Sequence, residues 1–414
     1  MNICVIGLGY IGLPTAAMFA AHGHTVLGVD KNPAIVEALN RGEIIIEENG
    51  LGDFVRQVAA QGRLTASAQL RQSDVFIIAV PTPITSDKKA DMRFVEAATR
   101  EIVPFVQAGN LVVLESTSPV GTVDQLMAPI LAASGLEIGR ELYLGHSPER
   151  VIPGRILYEL VHNSRIAGGI NEESAQRIAE LYRSFVQGEI YTTDSRTAEM
   201  AKLTENTFRD VNIALANELA RICEQQNINV WELIELCNKH PRVNIHQPGP
   251  GVGGHCIAVD PWFIVEKEPQ TARLIHQARL INDSMPAHVL ERALELLQGL
   301  DQPQVAVLGV TYKPDVDDMR ESPILQLIQG LRQAGAQVRV QDPFARGYDR
   351  EAIPTAAGAD LLILAVHHQQ YQQLSPPELA RVMRRPVLLD TRNFLDQAVF
   401  SQAGFDCHLL GVRK

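Results

Sequence analysis

Short apolar runs rich in Val and Ile alternate with helical periodicity through roughly the first 190 residues, which is typical of a parallel sheet with crossover helices. The predicted strands of this part are Ile3–Ile6, Thr25–Val29, Val75–Val80, Leu111–Leu114 and Leu142–Gly145. This alternation predicts a doubly wound, Rossmann-like α/β domain.

The last part of the chain repeats the same plan. V-A-V-L-G-V-T-Y-K-P corresponds to I-C-V-I-G-L-G-Y-I-G, and V-R-V-Q-D-P-F corresponds to V-L-G-V-D-K-N. A-D-L-L-I-L-A-V-H-H and P-V-L-L-D-T-R-N continue the match in the same order. Because four segments correspond in order, a second Rossmann-like sheet domain is predicted from about Asp301.

Between the two sheet domains the chain carries few strand signals and long helical patterns. The segment T-A-E-M-A-K-L-T-E-N-T-F-R-D-V-N-I-A-L-A-N-E-L-A-R-I-C-E-Q-Q exceeds the usual length of a globular helix, roughly 8 to 20 residues. It is expected to join the sheet domains and to provide a homodimer contact. The predicted fold is α/β, with two doubly wound parallel-sheet domains, residues 1–195 and 301–414, joined by a central helical domain, residues 196–300.

Composition and charge narrow the class of protein. A chain of 414 residues favours two or three domains, and its net charge of −11 argues against a nucleic-acid partner, which would require clustered Lys and Arg. The sequence enters directly into the first strand pattern and contains no apolar run of membrane-spanning length, so a cytoplasmic protein with no membrane partner is expected. Five scattered cysteines disfavour a disulfide framework and a zinc site, and no metal is expected.

The segment G-L-G-Y-I-G follows the first predicted strand and forms a G-x-G-x-x-G pattern. Gly7, Gly9 and Gly12 would provide a tight turn, close approach of a pyrophosphate, and close packing of the next helix. Asp30 ends the second strand, where a carboxylate accepts hydrogen bonds from ribose hydroxyls and repels a 2′-phosphate. The pattern therefore predicts NAD rather than NADP, the alternative being a glycine turn without a ligand.

Two further strands of this domain end in Thr-containing loops. Thr82 lies in P-T-P and Thr117 in E-S-T-S-P-V-G-T. Ligands of open parallel sheets bind beyond the carboxyl ends of the strands, so both residues are expected to line the nicotinamide side. Ordinary Thr-Pro turns are the alternative.

The segment G-P-G-V-G-G-H-C-I-A-V-D-P-W-F places Cys256 behind a run of glycines. A thiol beside a nicotinamide can add to an aldehyde, so that hydride loss gives a thioester and water then releases an acid. The glycines would let a substrate approach, and backbone N–H groups of the loop could stabilise an oxyanion. A buried structural cysteine is the alternative.

A helical face near the middle of the chain carries two cations and an amide. Lys202, Asn206 and Arg209 are spaced i, i+4 and i+7, so they share one side of a helix. Such a face suits an anionic, oxygen-rich ligand, and Lys202 could move the proton of an alcohol or hold an oxyanion. A solvated helix face is the alternative.

Three other polar clusters follow strand ends or turns. They are Glu149 with Arg150, His240 with Arg242, and Lys313 with Arg320. The loop that carries the last pair lacks a second G-x-G-x-x-G, but its cations could hold the phosphates of a nucleotide. Each cluster could equally be an ordinary surface loop.

The combination of G-L-G-Y-I-G-L-P-T-A, S-T-S-P-V-G-T, S-P-E-R-V-I-P-G, A-K-L-T-E-N, G-P-G-V-G-G-H-C and K-P-D-V-D-D-M-R-E-S-P resembles the UDP-glucose/UDP-N-acetylmannosamine 6-dehydrogenase family over nearly the whole chain. The resemblance implies oxidation of a sugar C6 alcohol to a carboxylate, with two hydrides passing to two NAD molecules in turn. It also implies an NAD domain, a helical dimer core and a UDP-binding domain.

The resemblance also assigns roles to individual residues. Cys256 is similar to the family nucleophile, Lys202 to its proton donor and acceptor, Asn206 and Asp260 to residues that hold oxyanion and water, and Glu149 to a residue that positions water. The cofactor contacts that it implies are Gly7, Gly9, Tyr10, Ile11, Gly12, Asp30, Thr82, Thr117 and Arg320. The substrate contacts that it implies are Arg150, Val151, Lys202, Asn206, Arg209, His240, Arg242, Gly253 and Lys313.

The cysteine loop also bears on the sugar. With His255 before the cysteine and no lysine before Asp260, it resembles the N-acetylhexosamine branch, and I-A-V-D-P-W-F-I-V is similar to the enzymes acting on UDP-N-acetyl-D-mannosamine. UDP-N-acetylglucosamine and UDP-glucose are the alternative substrates. The resemblance implies a role in bacterial surface polysaccharide synthesis. A two-electron hydroxyacid dehydrogenase and a non-catalytic nucleotide-binding regulator are the rival functions.

Overall fold

The computed structural model describes residues 1–46, 48–152 and 154–413. Pro153 of the S-P-E-R-V-I-P-G segment, and Lys414, which ends the third predicted domain, lie outside the described residues. Contacts divide the chain into two units, Met1–Glu205 with Trp262–Glu268, and Asn206–Pro261 with Pro269–Lys414. The three predicted domain boundaries remain a prediction.

The first unit contains an eight-stranded sheet in the order β3-β2-β1-β4-β5-β6-β7-β8. Its strands are β1 (Asn2–Ile6), β2 (Thr25–Val29), β3 (Leu64–Ser67), β4 (Val75–Ile78), β5 (Leu111–Leu114), β6 (Tyr143–His146), β7 (Arg165–Gly169) and β8 (Ile190–Asp194). The five predicted strands are all present, with ends that differ by at most two residues. β1 pairs in parallel with both β2 and β4. The sheet therefore extends from β1 in both directions, as in a doubly wound sheet.

The far side of this sheet departs from the predicted pattern. β6 and β7 pair antiparallel, whereas the other neighbouring strands of the sheet are parallel. β3, β7 and β8 have no clear apolar run: β7 ends in two glycines, and most of β8 is solvent-accessible. β3 and β8 are the outermost strands, which need fewer apolar side chains, and β7 is buried but has few large apolar residues, which is why the sequence pattern does not reveal them.

Helices cover both faces of the first sheet. They are α1 (Gly12–Ala21), α2 (Pro33–Asn40), α3 (Leu51–Ala60), α4 (Arg93–Ile102), α5 (Ala128–Leu131), α6 (Ile156–His162) and α7 (Glu172–Tyr182), with a π-helical turn at Thr122–Met127. One core lies under α1, where Phe19, Tyr182 and Phe185 form edge-on or tilted ring contacts. A separate core packs the opposite face against α4. The carboxyl ends of β1, β4 and β5 remain free of helix and are followed by loops.

The second unit contains a five-stranded, wholly parallel sheet in the order β10-β9-β11-β12-β13. Its strands are β9 (Gln304–Leu308), β10 (Gln337–Gln341), β11 (Leu361–Leu364), β12 (Val387–Asp390) and β13 (Asp406–Leu409). Its helices are α12 (Pro323–Gln333), α13 (Ala352–Ala356), α14 (Pro376–Val382) and α15 (Gln397–Gln402). The predicted second Rossmann-like sheet is confirmed, and β13 is the strand that the repeat did not reveal.

Helices occupy the middle of the chain, as predicted, and the first and last of them are long. They are α8 (Ser195–Gln226), α9 (Val230–Cys237), α10 (Asp260–Lys267) and α11 (Arg273–Leu296). Within the second unit, α8 and α11 are joined by buried polar contacts: Arg279 Nη1 lies 2.5 Å from Asp210 Oδ1, and Asn217 donates to Asn282 at 2.8 Å. Breaking one partner of such a buried pair is costly, so this pairing holds α8 in register beside α11. Across the described residues, no helix combines the length and apolar character that crossing a bilayer requires.

Candidate active site

The turn between β1 and α1 uses its three glycines for three different reasons. Gly7 adopts φ +92°, and a Cβ there would lie 2.6 Å from the Ala79 carbonyl oxygen. A Cβ on Gly12 would lie 1.8 Å from the Gly7 carbonyl oxygen, so α1 could not start against this turn with a larger residue. Gly9 has no atom within 4 Å of an added Cβ, so its backbone is open to an approaching group. This is the arrangement that the sequence predicted.

Asp30 is tied to the same turn. Its Oδ2 accepts a hydrogen bond from Leu8 N at 2.9 Å, and its Oδ1 accepts one from Asn32 N at 2.8 Å. The carboxylate therefore lies at the carboxyl end of β2 beside the glycine turn. Its remaining lone pairs can accept hydrogen bonds from the ribose hydroxyls of a bound nucleotide.

Two loops beside the glycine turn contain the predicted threonines. Thr82 follows β4 and Thr117 follows β5, and both are half-buried. Because β1, β4 and β5 are neighbouring parallel strands, these loops leave the same edge of the sheet. The half-buried Tyr10 and Ile11 occupy the turn itself. The open backbone at Gly9, the start of α1 and the Asp30 carboxylate together fit a dinucleotide.

The cysteine loop lies in the second unit and is built against the loop that follows β9. A Cβ on Gly253 would lie 2.6 Å from the Glu321 carbonyl oxygen, and one on Gly254 would lie 2.7 Å from the Tyr312 ring. Gly254 also adopts φ +84° and donates from its N–H to the Arg320 carbonyl oxygen at 3.0 Å. The glycines therefore have a packing role that the sequence analysis, which assigned them to substrate approach, did not foresee.

Cys256 lies in the turn that leads into α10. Its carbonyl oxygen accepts hydrogen bonds from Val259 N at 3.0 Å and Asp260 N at 2.8 Å, which fixes the backbone at this point. Cys256 is half-buried, whereas Cys4, Cys223 and Cys407 are buried. A positioned and partly accessible thiol is what a nucleophile requires.

Lys202, Asn206 and Arg209 all lie in α8, as the helical spacing predicted. In the second unit, Asn206 Nδ2 donates to Asp260 Oδ2 at 2.5 Å, and Arg209 Nη2 donates to Asn206 Oδ1 at 2.6 Å. Asn206 and Asp260 are both buried, and Arg209 is exposed. The structure thus brings together two residues that the resemblance assigned to holding oxyanion and water.

Lys202 lies in the first unit and is half-buried. Its charge acts on His146, the last residue of β6. Burial lowers the pKa of His146 to about 3, and the charges of Lys202 and Arg165 act in the same direction. His146 is therefore a neutral side chain at neutral pH, and it adds no positive charge beside Lys202.

The loop after β6 contains the predicted pair Glu149 and Arg150. Arg150 binds Glu205 with two nitrogens, at 2.7 and 3.1 Å, and donates from Nη1 to the Ser164 carbonyl oxygen at 3.0 Å. Val151 is half-buried in the same loop. Glu205 was not predicted, although it lies within the A-K-L-T-E-N segment.

The remaining predicted substrate and cofactor residues lie on the second unit. Arg320 is exposed and binds Asp318 with two nitrogens, the closer at 2.6 Å, while Lys313 is half-buried in the same loop. This loop contacts the cysteine loop, so the structure brings these two predicted segments together. His240 and Arg242 are exposed in the turn after α9, where Arg242 N donates to His240 Nδ1 at 3.4 Å.

The sequence analysis missed a buried polar cluster in the first unit, formed by Glu115, Ser147, Arg165 and Tyr182 around Glu149. Arg165 Nη2 lies 2.6 Å from Glu115 Oε1, and its Nη1 lies 2.7 Å from Glu149 Oε2. Burial raises the pKa of Glu115 to about 7, and the charge of Arg165 opposes that rise. The only sequence signal was that Glu115 directly follows an apolar strand.

Comparisons with known proteins identify the family of the chain. The chain matches the UDP-glucose/GDP-mannose dehydrogenase family in its NAD binding domain over residues 1–186, its central domain over 196–284 and its UDP binding domain over 306–397. It is 45% identical to the UDP-N-acetyl-D-mannosamine dehydrogenase of Methanococcus maripaludis over 99% of this chain and 97% of that protein. It is also 45% identical to the NDP-N-acetyl-D-galactosaminuronic acid dehydrogenase of Ralstonia nicotianae over 94% and 95% of the two chains.

Among solved structures, the UDP-D-ManNAc dehydrogenase from Pyrococcus horikoshii matches 99% of both chains with a TM-score of 0.95 at 41% identity. The chain therefore has a fold similar to that of a known enzyme. The chain belongs to the UDP-glucose/GDP-mannose dehydrogenase family, and it is an NAD-dependent enzyme that oxidises a nucleoside-diphosphate sugar.

Proposed function

We propose that this enzyme oxidises the C6 alcohol of UDP-N-acetyl-D-mannosamine to the carboxylate of UDP-N-acetyl-D-mannosaminuronate. The single observation that carries the proposal is the partly accessible Cys256, held in a glycine-rich turn against the loop of Lys313 and Arg320. A two-electron alcohol oxidation needs no thiol, whereas a thiol that adds to an aldehyde gives the tetrahedral carbon from which a second hydride can leave.

When bound, NAD accepts the hydride that leaves C6 in each of the two oxidations, one molecule for each. Lys202, in its neutral amine form, takes the proton of the alcohol in the first oxidation. The Cys256 thiolate then adds to the aldehyde carbon, and a C–S bond forms in a thiohemiacetal. Loss of the second hydride leaves a thioester. Water attacks the thioester, the C–S bond breaks, and the carboxylate and the thiol are released.

The contacts of Asn206 and Asp260 support their part in this scheme. The Asn206 amide donates to Asp260 while its carbonyl oxygen accepts from Arg209, so the orientation of the amide is defined. Its second N–H is then available to an oxyanion on the substrate. Glu149, a buried carboxylate after β6, is proposed to position the water that attacks the thioester.

Overall identity to relatives does not choose the sugar, because the relatives named for N-acetyl-D-mannosamine and for N-acetyl-D-galactosaminuronic acid are both 45% identical. The proposal for UDP-N-acetyl-D-mannosamine depends on the segment I-A-V-D-P-W-F-I-V, which directly follows Cys256. It also depends on the small residues Val252 and Ala258 on either side of Cys256, which we expect to leave room for an acetamido group. UDP-N-acetylglucosamine and UDP-glucose are the alternative substrates.

The decisive experiment measures the NADH formed per mole of sugar consumed, with a panel of UDP-sugars. We expect two equivalents with UDP-N-acetyl-D-mannosamine and the highest kcat/KM for that sugar. Cys256→Ala should abolish acid formation, whereas Cys237→Ala, which removes another half-buried thiol, should leave the rate within about twofold of the parent.

The other outcomes separate the rival functions. One equivalent of NADH would identify a two-electron dehydrogenase, and binding of NAD and UDP-sugar without reduction would identify a regulator. Full acid formation by Cys256→Ala would remove the covalent step. A preference for another UDP-sugar would leave the chemistry intact but overturn the choice of sugar.

We also propose that two copies of the chain associate through the central helical region, residues 196–300, in the cytoplasm of a cell that builds a surface polysaccharide. Within the second unit, α8 exposes Phe208, Leu215 and Ile222 at a spacing of seven residues, which places them along one side of the helix. An apolar stripe of this kind is suited to packing against a copy of itself.

A further inference from the structure

Glu149 is held by a buried guanidinium. Arg165, at the start of β7, is 4% exposed, and its Nη1 donates to Glu149 Oε2 at 2.7 Å. The other carboxylate oxygen, Glu149 Oε1, accepts from Arg150 N at 2.7 Å. Both oxygens of Glu149 therefore have a defined donor, and the carboxylate plane cannot turn without breaking one of them.

Arg165 is itself fixed on every side. Its Nη2 donates to Glu115 Oε1 at 2.6 Å, its Nε donates to Ser147 Oγ at 2.8 Å, and its guanidinium lies 3.8 Å from the centre of the Tyr182 ring. The Tyr182 hydroxyl donates to Glu115 Oε1 at 2.6 Å. Because β7 pairs antiparallel with β6, the start of β7 lies just beyond the carboxyl end of β6. Arg165 therefore reaches the loop of Glu149 from the neighbouring strand.

The charges of the cluster bear on the ionisation of Glu115. Arg165 supplies one positive charge for two buried carboxylates, so both cannot be ionised without an excess negative charge in a dry site. Burial raises the pKa of Glu115 to about 7, while the charge of Arg165 opposes that rise and the charge of Glu149 supports it. Glu115 is thus the carboxyl of the cluster that takes up a proton near neutral pH.

We propose that Arg165 is a positioning residue that fixes the Glu149 carboxylate so that it directs the water which cleaves the Cys256 thioester. This inference rests on the proposed function. Arg165 is buried and does not need to touch the substrate, because it acts through Glu149. Its contribution falls on the last chemical step, in which the C–S bond breaks, and leaves both hydride transfers unaffected.

The test compares Arg165→Met, Arg165→Lys and Glu149→Gln with a matched control, Arg177→Ala. Like Arg165, Arg177 places its guanidinium over a tyrosine ring, 3.7 Å from the centre of Tyr143. Unlike Arg165, it is solvent-accessible, and it forms a salt bridge with Glu173. The reaction uses NAD and UDP-N-acetyl-D-mannosamine. The readouts are the NADH burst in the first turnover, the steady-state kcat and KM, and the mass of the acid-quenched protein.

Arg165→Met is expected to lower the steady-state kcat about tenfold or more while leaving a burst of two NADH per active site. The quenched protein should then carry the sugar on Cys256 as a thioester. Because the slow step follows acylation, kcat and KM should fall together, and kcat/KM should stay within about threefold of the parent. Arg165→Lys, which keeps a cation, should restore part of the rate, and Arg177→Ala should match the parent.

Glu149→Gln should accumulate the same thioester, and adding Arg165→Met to it should slow turnover less than about twofold further, because both changes act through one group. The inference is overturned if Arg165 variants turn over like the parent, or if they slow without thioester accumulating. Should Arg165→Met fail to fold, Arg165→Lys alone and Arg165→Lys combined with Glu149→Gln carry the same comparison. Absence of any thioester in Glu149→Gln would instead contradict the proposed function.

Discussion

Asp342 lies at the end of β10, the place in the second sheet that Asp30 has in the first. Its Oδ2 accepts from Val310 N at 2.7 Å, and its Oδ1 accepts from Phe344 N at 2.8 Å and Ala345 N at 2.9 Å. Burial raises the pKa of this carboxyl, but the hydrogen bonds from His368 and these backbone groups outweigh burial and lower it to about 2. The carboxylate that is predicted to bind a nucleotide in the first unit is here used to hold loops together.

Asp342→Asn should therefore reduce the free energy of unfolding at pH 7 by about 2 kcal/mol, the value of a pKa shift of this size. Because the folded pKa lies below the unfolded one, this contribution is complete above about pH 4 and is lost as the pH falls towards about 2. Urea unfolding at pH 7, 5 and 3 measures the difference from the parent, which should shrink only at the lowest pH. The control is Asp53, which forms an exposed salt bridge with Arg56. Asp53→Asn should change the free energy of unfolding little.

At the scale of elements, the cysteine turn depends on its contact with the loop after β9. Two glycines of the second unit share a left-handed conformation, Gly254 at φ +84° and Gly299 at φ +80°. A Cβ on Gly254 would lie 2.7 Å from Tyr312, whereas one on Gly299 has no atom within 4 Å. The two positions therefore separate the cost of the conformation from the cost of displacing the loop.

At either glycine, the left-handed conformation alone should make alanine lower the free energy of unfolding by about 1 kcal/mol, because a side chain disfavours this conformation. Only Gly254→Ala should also displace the cysteine turn, and we expect its rate of NADH formation to fall about tenfold or more. Steady-state kinetics beside urea unfolding distinguish the two effects. Equal activity of the two variants would show that the contact with Tyr312 does not set the position of Cys256.

At the scale of the whole molecule, the apolar stripe of α8 predicts the oligomeric state. Leu215 is 44% exposed in the middle of the stripe, and a buried charge at a helix interface is strongly unfavourable. Leu215→Glu should convert a dimer into a particle of the chain mass, 45.5 kDa, in sedimentation equilibrium. Phe94→Glu, at a similarly exposed apolar residue of α4, should leave the parent state unchanged. A Leu215→Glu protein that stays dimeric would place the interface elsewhere.

Features that depend on neighbouring residues were predictable from the sequence. In the turn after β1, Gly7 and Gly12 are determined by backbone conformation and close approach, which only glycine permits at these two positions. The shared helix of Lys202 and Asn206 follows from spacing. The two sheets were predicted because buried parallel strands are continuous apolar runs, bounded by loops.

Only the tertiary structure decided which distant polar groups meet. Arg165 pairs with Glu115 and Glu149 because β7 turns antiparallel to β6, and nothing in the short segment R-I-A-G-G announces that pairing. Burial also raises the pKa of the Glu115 carboxyl to about 7, so this group is not fully ionised at neutral pH. Desolvation and long-range salt bridges depend on what packs around a group, and a linear pattern of residues carries no record of that surrounding.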